Sequence, residues 1–243
     1  MKIYKQYAKE ILEQLNYVPT WLPTVKLVPG DVCDMRGYEL RHVSHLNEFD
    51  ISFDLIEKSI ESDIEYSSEG AVSIQFKIDG DIPPTGSTLK VEEAGISLTL
   101  ARKNAILLKM ADCSMKRIRS PHAIGEKILK LHNAGKWPEG YVVVMETVLA
   151  GASTIIISNG SDAGIDLVTN GSVSQGPMTL VSLDAGLRVK RESKIGAKFI
   201  SMPGLTPLAK TSGIQKRFIR PDRFKSTGNQ QDFIFKSVDY SDY

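Results

Sequence analysis

From Asp63 to Asp79 the chain alternates for 17 residues. Ile64, Tyr66, Ser68, Gly70, Val72, Ile74, Phe76 and Ile78 hold the even positions; Asp63, Glu65, Ser67, Glu69, Ser73, Gln75, Lys77 and Asp79 are among the odd ones. Side chains of an extended chain point alternately to opposite faces, so a period of two puts six apolar groups on one side and most of the charge on the other. No helix accommodates that pattern, and the stretch predicts one long two-faced strand. At about 3.3 Å per residue it would reach roughly 56 Å, whereas strands usually run about 5 to 6 residues. A second alternation follows from Leu183 to Phe199. Leu183, Ala185, Leu187, Val189, Ile195, Ala197 and Phe199 hold its odd positions, with a polar break at Arg191 and Ser193.

The segments around these alternations have simpler signatures. Tyr4, Tyr7, Ala8, Ile11, Leu12 and Leu15 recur at helical spacing, which predicts an amphipathic N-terminal helix ended by Pro19 and Pro23. Tyr38 to Val43 reads as a short strand. Pro83-Pro84-Thr85-Gly86 breaks the first alternation. Ile96, Leu98 and Leu100 then alternate again, with a bulge expected at Glu92 to Gly95, and Ala105 to Met110 reads as another strand. Ser120-Pro121 supplies a helix cap and first-turn proline ahead of Ile124, Ile128, Leu129 and Leu131, a stripe that stops near Gly135. The run YVVVMETVL from Tyr141 predicts a strand covered on both faces, turned at Gly151-Ala152 into Ser153 to Ser158. Asn159-Gly160 predicts a tight hairpin leading to Ile165 and Leu167. Thr206-Pro207 predicts a short helix, and Ser226 to Gln231 a flexible stretch before Phe233 and Phe235. The fold class expected is α+β: a long, twisted, mostly antiparallel sheet with the N-terminal helix and further helices packed on it.

Composition narrows the functional classes. With 243 residues, 42% hydrophobic and 24% charged, the chain has the make-up of a soluble globular protein. No apolar run approaches the roughly 18 residues of a membrane-spanning helix, and the N-terminus lacks a signal-peptide pattern, so a cytoplasmic protein is expected. Cys33 and Cys113, without paired spacing, predict buried thiols, and His42 and His45 have no third ligand in context to make a metal site. Phosphate-binding, dinucleotide, nucleophile-elbow and zinc-protease motifs are all missing, which points away from an enzyme and from a cofactor. The net charge of +1 conceals an asymmetry. Residues 31–99 carry 15 acidic against 5 basic groups, and residues 186–225 carry 11 basic against 2 acidic. Such a basic block attracts phosphate-rich surfaces or pairs with the acidic half of its own chain.

The order of elements resembles the pore-forming domain of the gasdermin family. That resemblance rests on the N-terminal amphipathic helix, the two long alternating pairs, the helix over residues 121–134 and the meander YVVVMETVLAGASTIIIS between them. It implies a single pore-forming domain over residues 1–225 and, as in the family's bacterial members, an inhibitory tail over residues 226–243 with Phe233 and Phe235 docked. It implies an inactive cytoplasmic monomer that a protease releases to bind acidic phospholipid membranes, oligomerise into a β-barrel pore and act in cell death and antiviral defence. The first membrane-inserting hairpin would use Ile64, Tyr66, Val72, Ile74, Phe76 and Ile78 with Ile96, Leu98 and Leu100. The second would use Ile155, Ile157, Ile165, Leu167 and Val173 with Leu187, Val189, Ile195 and Phe199. Arg188, Lys190, Arg191, Lys194 and Lys198 would meet lipid phosphates, at about 1 kcal/mol each. Bacterial members commonly carry a lipid-accepting cysteine in the first few residues, whereas the first cysteine here is Cys33. Two other classes are compatible with the residues: a non-catalytic α+β binding or scaffold module using the basic block, and an enzyme using Cys33 or Cys113.

Overall fold

A computed structural model describes residues 3–36, 39–60, 63–79, 93–169, 187–216 and 233–237. Helix α1 spans Ile3–Leu15 and buries Tyr7, Ala8 and Ile11, the stripe the spacing predicts. It closes at Asn16, whose φ of 56° lets its N–H reach Leu12 O at 2.9 Å. There follow β1 (Val18–Pro19), β2 (Asp31–Arg36), β3 (Glu39–His45), a 3-10 turn (Leu46–Phe49), β4 (Leu55–Ser59), β5 (Ile64–Ser67) and β6 (Val72–Asp79). The chain continues through β7 (Glu93–Leu100), β8 (Ile106–Ala111), β9 (Ser114–Ile118) and α2 (Pro121–Asn133). It ends with β10 (Tyr141–Ser158), β11 (Ala163–Thr169), β12 (Leu187–Ser193), β13 (Ile195–Lys216) and β14 (Phe233–Ser237). The registered pairings are antiparallel, so the fold is α+β with a mostly antiparallel strand content, as the sequence predicts.

Neither long alternation is one strand. The first breaks at Gly70, whose φ of 62° leaves β geometry, and Ser68 closes the break. The buried Ser68 donates its N–H to Ile106 O and accepts from Ile106 N at its Oγ, both at 2.9 Å. Strand β5 therefore pairs with β8, while β6 pairs with β7. The second alternation breaks at Lys194, φ 54°, between β12 and β13. Lys194 O accepts from Asn159 N and its Nζ donates to Ser161 O, each at 2.8 Å. Glycine adopts the left-handed conformation freely at Gly70, whereas at Lys194 tertiary hydrogen bonds hold a residue for which it is unfavourable.

Other local expectations change for equally local reasons. Strand β10 runs straight through Gly151 without turning, and a Cβ there would lie 2.7 Å from Asp112 Cβ, so the glycine serves close approach. The segment from Thr206 is strand, not helix, because Thr206 and Pro207 stitch neighbouring chain to β13. Thr20 N–H donates to Pro207 O at 2.9 Å, and Leu27 N–H to Thr206 Oγ1 at 2.8 Å. After β10 the positive φ sits at Asp162 (54°) and β11 pairs with β7 and β12, so Asn159-Gly160 does not close a hairpin onto β10. Pairing of β7 with β6 is regular from Glu93, without the expected bulge there. Ser120 precedes α2 but makes no side-chain capping bond.

The chain divides into two compact units, one of Met1–Tyr7, Ser59–Ser114 and Leu149–Leu205, the other of Ala8–Lys58, Met115–Val148 and Thr206–Tyr243. The first contains a four-stranded sheet in the order β12-β11-β7-β6. Its core joins Ile96, Leu98, Leu100, Ala163, Ile165 and Leu167 to Leu107 of β8 and Ile156 of β10, with Val72, Ile74, Val189, Ile195 and Ile200 packed around. The second unit packs Ile124 and Ile128 of α2 with Val143, Ile118, Ile214 and Trp137. The Trp137 ring sits 5.0 Å from Phe49 and 6.0 Å, edge-on, from Tyr141. Gly30 in this unit has φ 99° and would place a Cβ 2.3 Å from Phe53 Cζ, so no larger residue fits. Strand β14 pairs with the end of β13, Ile214 opposite Phe235 and Lys216 opposite Phe233.

Candidate functional site

Two hairpin pairs lie side by side in the four-stranded sheet. Val72 to Asp79 of β6 pair with Leu100 to Glu93 of β7, and Gly164 to Thr169 of β11 pair with Ser193 to Leu187 of β12. The inner strands of the two pairs then join, Ala163 opposite Leu100, Ile165 opposite Leu98 and Leu167 opposite Ile96. Residues directly opposite in an antiparallel ladder share a face, so the registers define rows across the sheet. One face carries Val72, Leu100 and Ala163, then Ile74, Leu98 and Ile165, then Ile96, Leu167 and Val189. Ile96, Leu98, Leu100, Ala163, Ile165 and Leu167 are each at most 1% exposed.

The opposite face is mostly polar, with Val168 as its apolar exception. Its rows are Ser73, Thr99, Gly164 and Ser193, then Gln75, Ser97, Asp166 and Arg191. Ser97 Oγ donates to Asp166 Oδ1 at 2.6 Å. A shallow groove of about 310 Å³ opens over this face, with Asp162, Asp166, Arg191 and Ser193 along it.

The structure sorts the residues named from the sequence into three groups. Val72, Ile74, Ile96, Leu98, Leu100, Ile165, Leu167 and Val189 share the apolar face, while Phe76 and Leu187 stand in the sheet opposite Ile96 and Thr169, and Ile78 opposite Ala94. Ile64 and Tyr66 belong instead to β5, opposite Met110 and Leu108. Ile155 and Ile157 belong to β10, opposite Leu108 and Ile106, and Ile195 and Phe199 to β13. In this fold these six stand outside the four-stranded sheet: Ile64, Tyr66, Ile195 and Phe199 because the alternations turn at Gly70 and Lys194, and Ile155 and Ile157 because they belong to β10, which pairs with β8. Val173 lies outside the described residues.

Several of the cations make contacts within the chain. Arg191 stands opposite Asp166 and Arg188 opposite Val168, and Lys190 is the extra residue where the register shifts between Asp166 and Leu167. Lys194 bonds to Ser161 O, and Lys198 contacts Glu192. Each of the five side chains also remains exposed to water.

Comparison with solved structures finds the chain similar to a bacterial gasdermin from Bradyrhizobium tropiciagri. The match covers 86% of each chain at 14% identity, with a TM-score of 0.34. No family model and no curated protein matches.

Outside the sheet, a polar network was not legible in the sequence. Glu146, in the middle of the apolar run of β10, is 8% exposed; its Oε1 accepts from Tyr17 Oη at 2.5 Å and lies 3.1 Å from Lys210 Nζ. Lys210 Nζ also sits 4.4 Å from the centre of the Tyr17 ring. Burial, the hydrogen bond to Glu146 and the charge of Glu146, in that order, hold the Tyr17 phenol above its ordinary range. Burial, helped by the charge of Asp31, pushes the Cys33 thiol up to about 12. Cys113 rises to about 11 through burial and the charges of Asp63 and Asp112, opposed by a hydrogen bond from the Ile64 backbone. Both thiols are therefore protonated at neutral pH and poor nucleophiles. His42 Nε2 lies 3.3 Å from Asp31 Oδ1, and His45 Nδ1 accepts from Asn47 N–H at 3.2 Å; no cluster of three metal-ligating side chains occurs among the described residues.

Proposed function

We propose that the protein is an autoinhibited pore former whose two hairpin pairs leave their packing partners, enter an acidic-lipid bilayer and join those of other copies in a β-barrel. The observation that carries this reading is the sheet itself. Both amphipathic pairs lie next to each other, with most of their apolar residues on one face and mostly polar residues on the other. A barrel strand needs that division, with about 9 to 11 residues, apolar side chains toward lipid and polar ones toward a lumen. Strands β6, β7, β11 and β12 have 7 or 8 residues each, so they lengthen on insertion. Neither helix is long and apolar enough to cross a membrane among the described residues.

Two further features support the reading, one bearing on a restrained resting state and the other on membrane contact. Strand β14 extends the edge of β13 beside α2, so the C-terminal segment is part of the fold it would restrain. The loop between β1 and β2 exposes Leu22, Val25 and Val28 to 48%, 41% and 41%, next to exposed Lys26. Its base is tied to β13 through Thr20 and Leu27. An apolar loop tip beside a cation suits the headgroup region of a bilayer.

Dye release from vesicles of phosphatidylcholine and phosphatidylserine tests the reading. A full-length chain carrying a site-specific protease sequence in place of residues 226–231 is added intact and then cleaved. Release that begins only after cleavage is expected. Intact and cleaved protein both leaving the vesicles sealed would overturn it.

A further inference from the structure

The apolar face of the four-stranded sheet includes an acidic side chain. The row of Ile74, Leu98 and Ile165 ends on β12 at Glu192. Regular pairing would not put it there. With Val189 opposite Leu167, an unbroken ladder sets Arg191 opposite Ile165, as the odd-position alternation predicts. The extra residue Lys190 shifts the register, so Arg191 and Ser193 move to the polar face and Glu192 moves to the apolar one. In the resting fold the carboxylate reaches water, at 43% exposure, and pairs with Lys198 of β13. Strand β13 is outside the four-stranded sheet, so this contact also ties β12 to a neighbour it would leave on insertion.

We propose that Glu192 is a charge gate on membrane entry of the second hairpin pair. This rests on the pore-forming reading above. Transfer of the apolar face to hydrocarbon takes this carboxylate from water to the lipid side, where a charge is penalised according to depth. The same group, through Lys198, anchors β12 in the water-soluble state. Both effects retard insertion, and both arise from the negative charge and not from the size of the side chain. Glu192 is thus placed to keep a prematurely released chain from inserting quickly.

The comparison of Glu192→Gln with Lys198→Met separates a gate from a simple ion pair. Either change breaks the ion pair, but only the first removes the charge from the apolar face. In the cleavable full-length chain, on vesicles of phosphatidylcholine and phosphatidylserine, Glu192→Gln is expected to speed dye release after cleavage by roughly fivefold or more. Lys198→Met releases the tether but leaves a bare carboxylate on the apolar face, so it is expected to speed release clearly less than Glu192→Gln does. Glu126→Gln on α2, with a side chain 65% exposed, makes the same change in net charge far along the sequence and is expected to leave the rate unchanged. Equal acceleration by Glu192→Gln and Lys198→Met reduces the pair to an ordinary tether and overturns the gate. So does an unchanged rate with Glu192→Gln. Release at comparable rates in every variant leaves the pore-forming reading standing, whereas sealed vesicles in every case overturn both.

Discussion

Replacing Lys210 by methionine removes one of two partners from a carboxylate that has almost no access to water. Glu146 has a side chain 11% exposed, and its Oε1 is served by Tyr17 Oη at 2.5 Å and Lys210 Nζ at 3.1 Å. Breaking a fully buried ion pair costs about 3–5 kcal/mol because the remaining charge is stranded. Lys210 is itself 43% exposed, and Tyr17 continues to donate, so a loss of about 2 kcal/mol is expected here. The loss depends on the charge of Glu146. In a Glu146→Gln background the same lysine replacement should cost less than half as much, a coupling of about 1 kcal/mol. The contact of Lys210 with the Tyr17 ring is lost in both backgrounds and cancels from the cycle. Urea unfolding followed by tryptophan fluorescence reads this directly, since Trp21 and Trp137 both belong to the unit that holds the network. Costs that add to within about 0.4 kcal/mol would show that Lys210 and Glu146 do not act through each other, and the argument for a charge-dependent network fails.

Two further outcomes follow from the buried ionisable groups. Cys33 and Cys113, held at about 12 and 11 by burial first, should resist alkylation by iodoacetamide at pH 8 in the folded protein and react fully in denaturant, as mass spectrometry would record; rapid labelling of either in the native state contradicts its placement. The Tyr17 and Tyr7 phenols are raised by burial above the ordinary 10.0, so the neutral form is favoured in the folded state. Their contribution to stability is complete below pH 10 and is lost as the pH rises further, because the unfolded chain gives up these protons first. Tyr17→Phe should therefore flatten the alkaline limb of a stability–pH profile, and an unchanged limb would refute the assignment.

Periodicity worked where a segment answers mainly to its own neighbours. The stripe of Tyr7, Ala8 and Ile11 determines α1, and Ile124 with Ile128 determines α2, because either helix needs only one covered face. The apolar face of the four-stranded sheet was legible in the same way, from Ile96, Leu98 and Leu100 and from Ile165 and Leu167. Glu146 was not legible, since its partners lie 129 and 64 positions away and no local pattern announces a carboxylate in an apolar run.

The amino-acid order alone determined which residues alternate and how the apolar and polar sets divide, since that follows from the geometry of an extended chain. Where the alternations stop was decided in three dimensions. Gly70 turns because glycine tolerates positive φ and Ser68 beside it bonds to Ile106, Lys194 turns because Asn159 and Ser161 bond to it, and the two apparent long strands become four. The register shift at Lys190 was also decided there, by the pairing of β12 with β11. One extra residue in a strand of period two exchanges the faces of everything beyond it, which is why Glu192, and not Arg191, stands in line with Ile165.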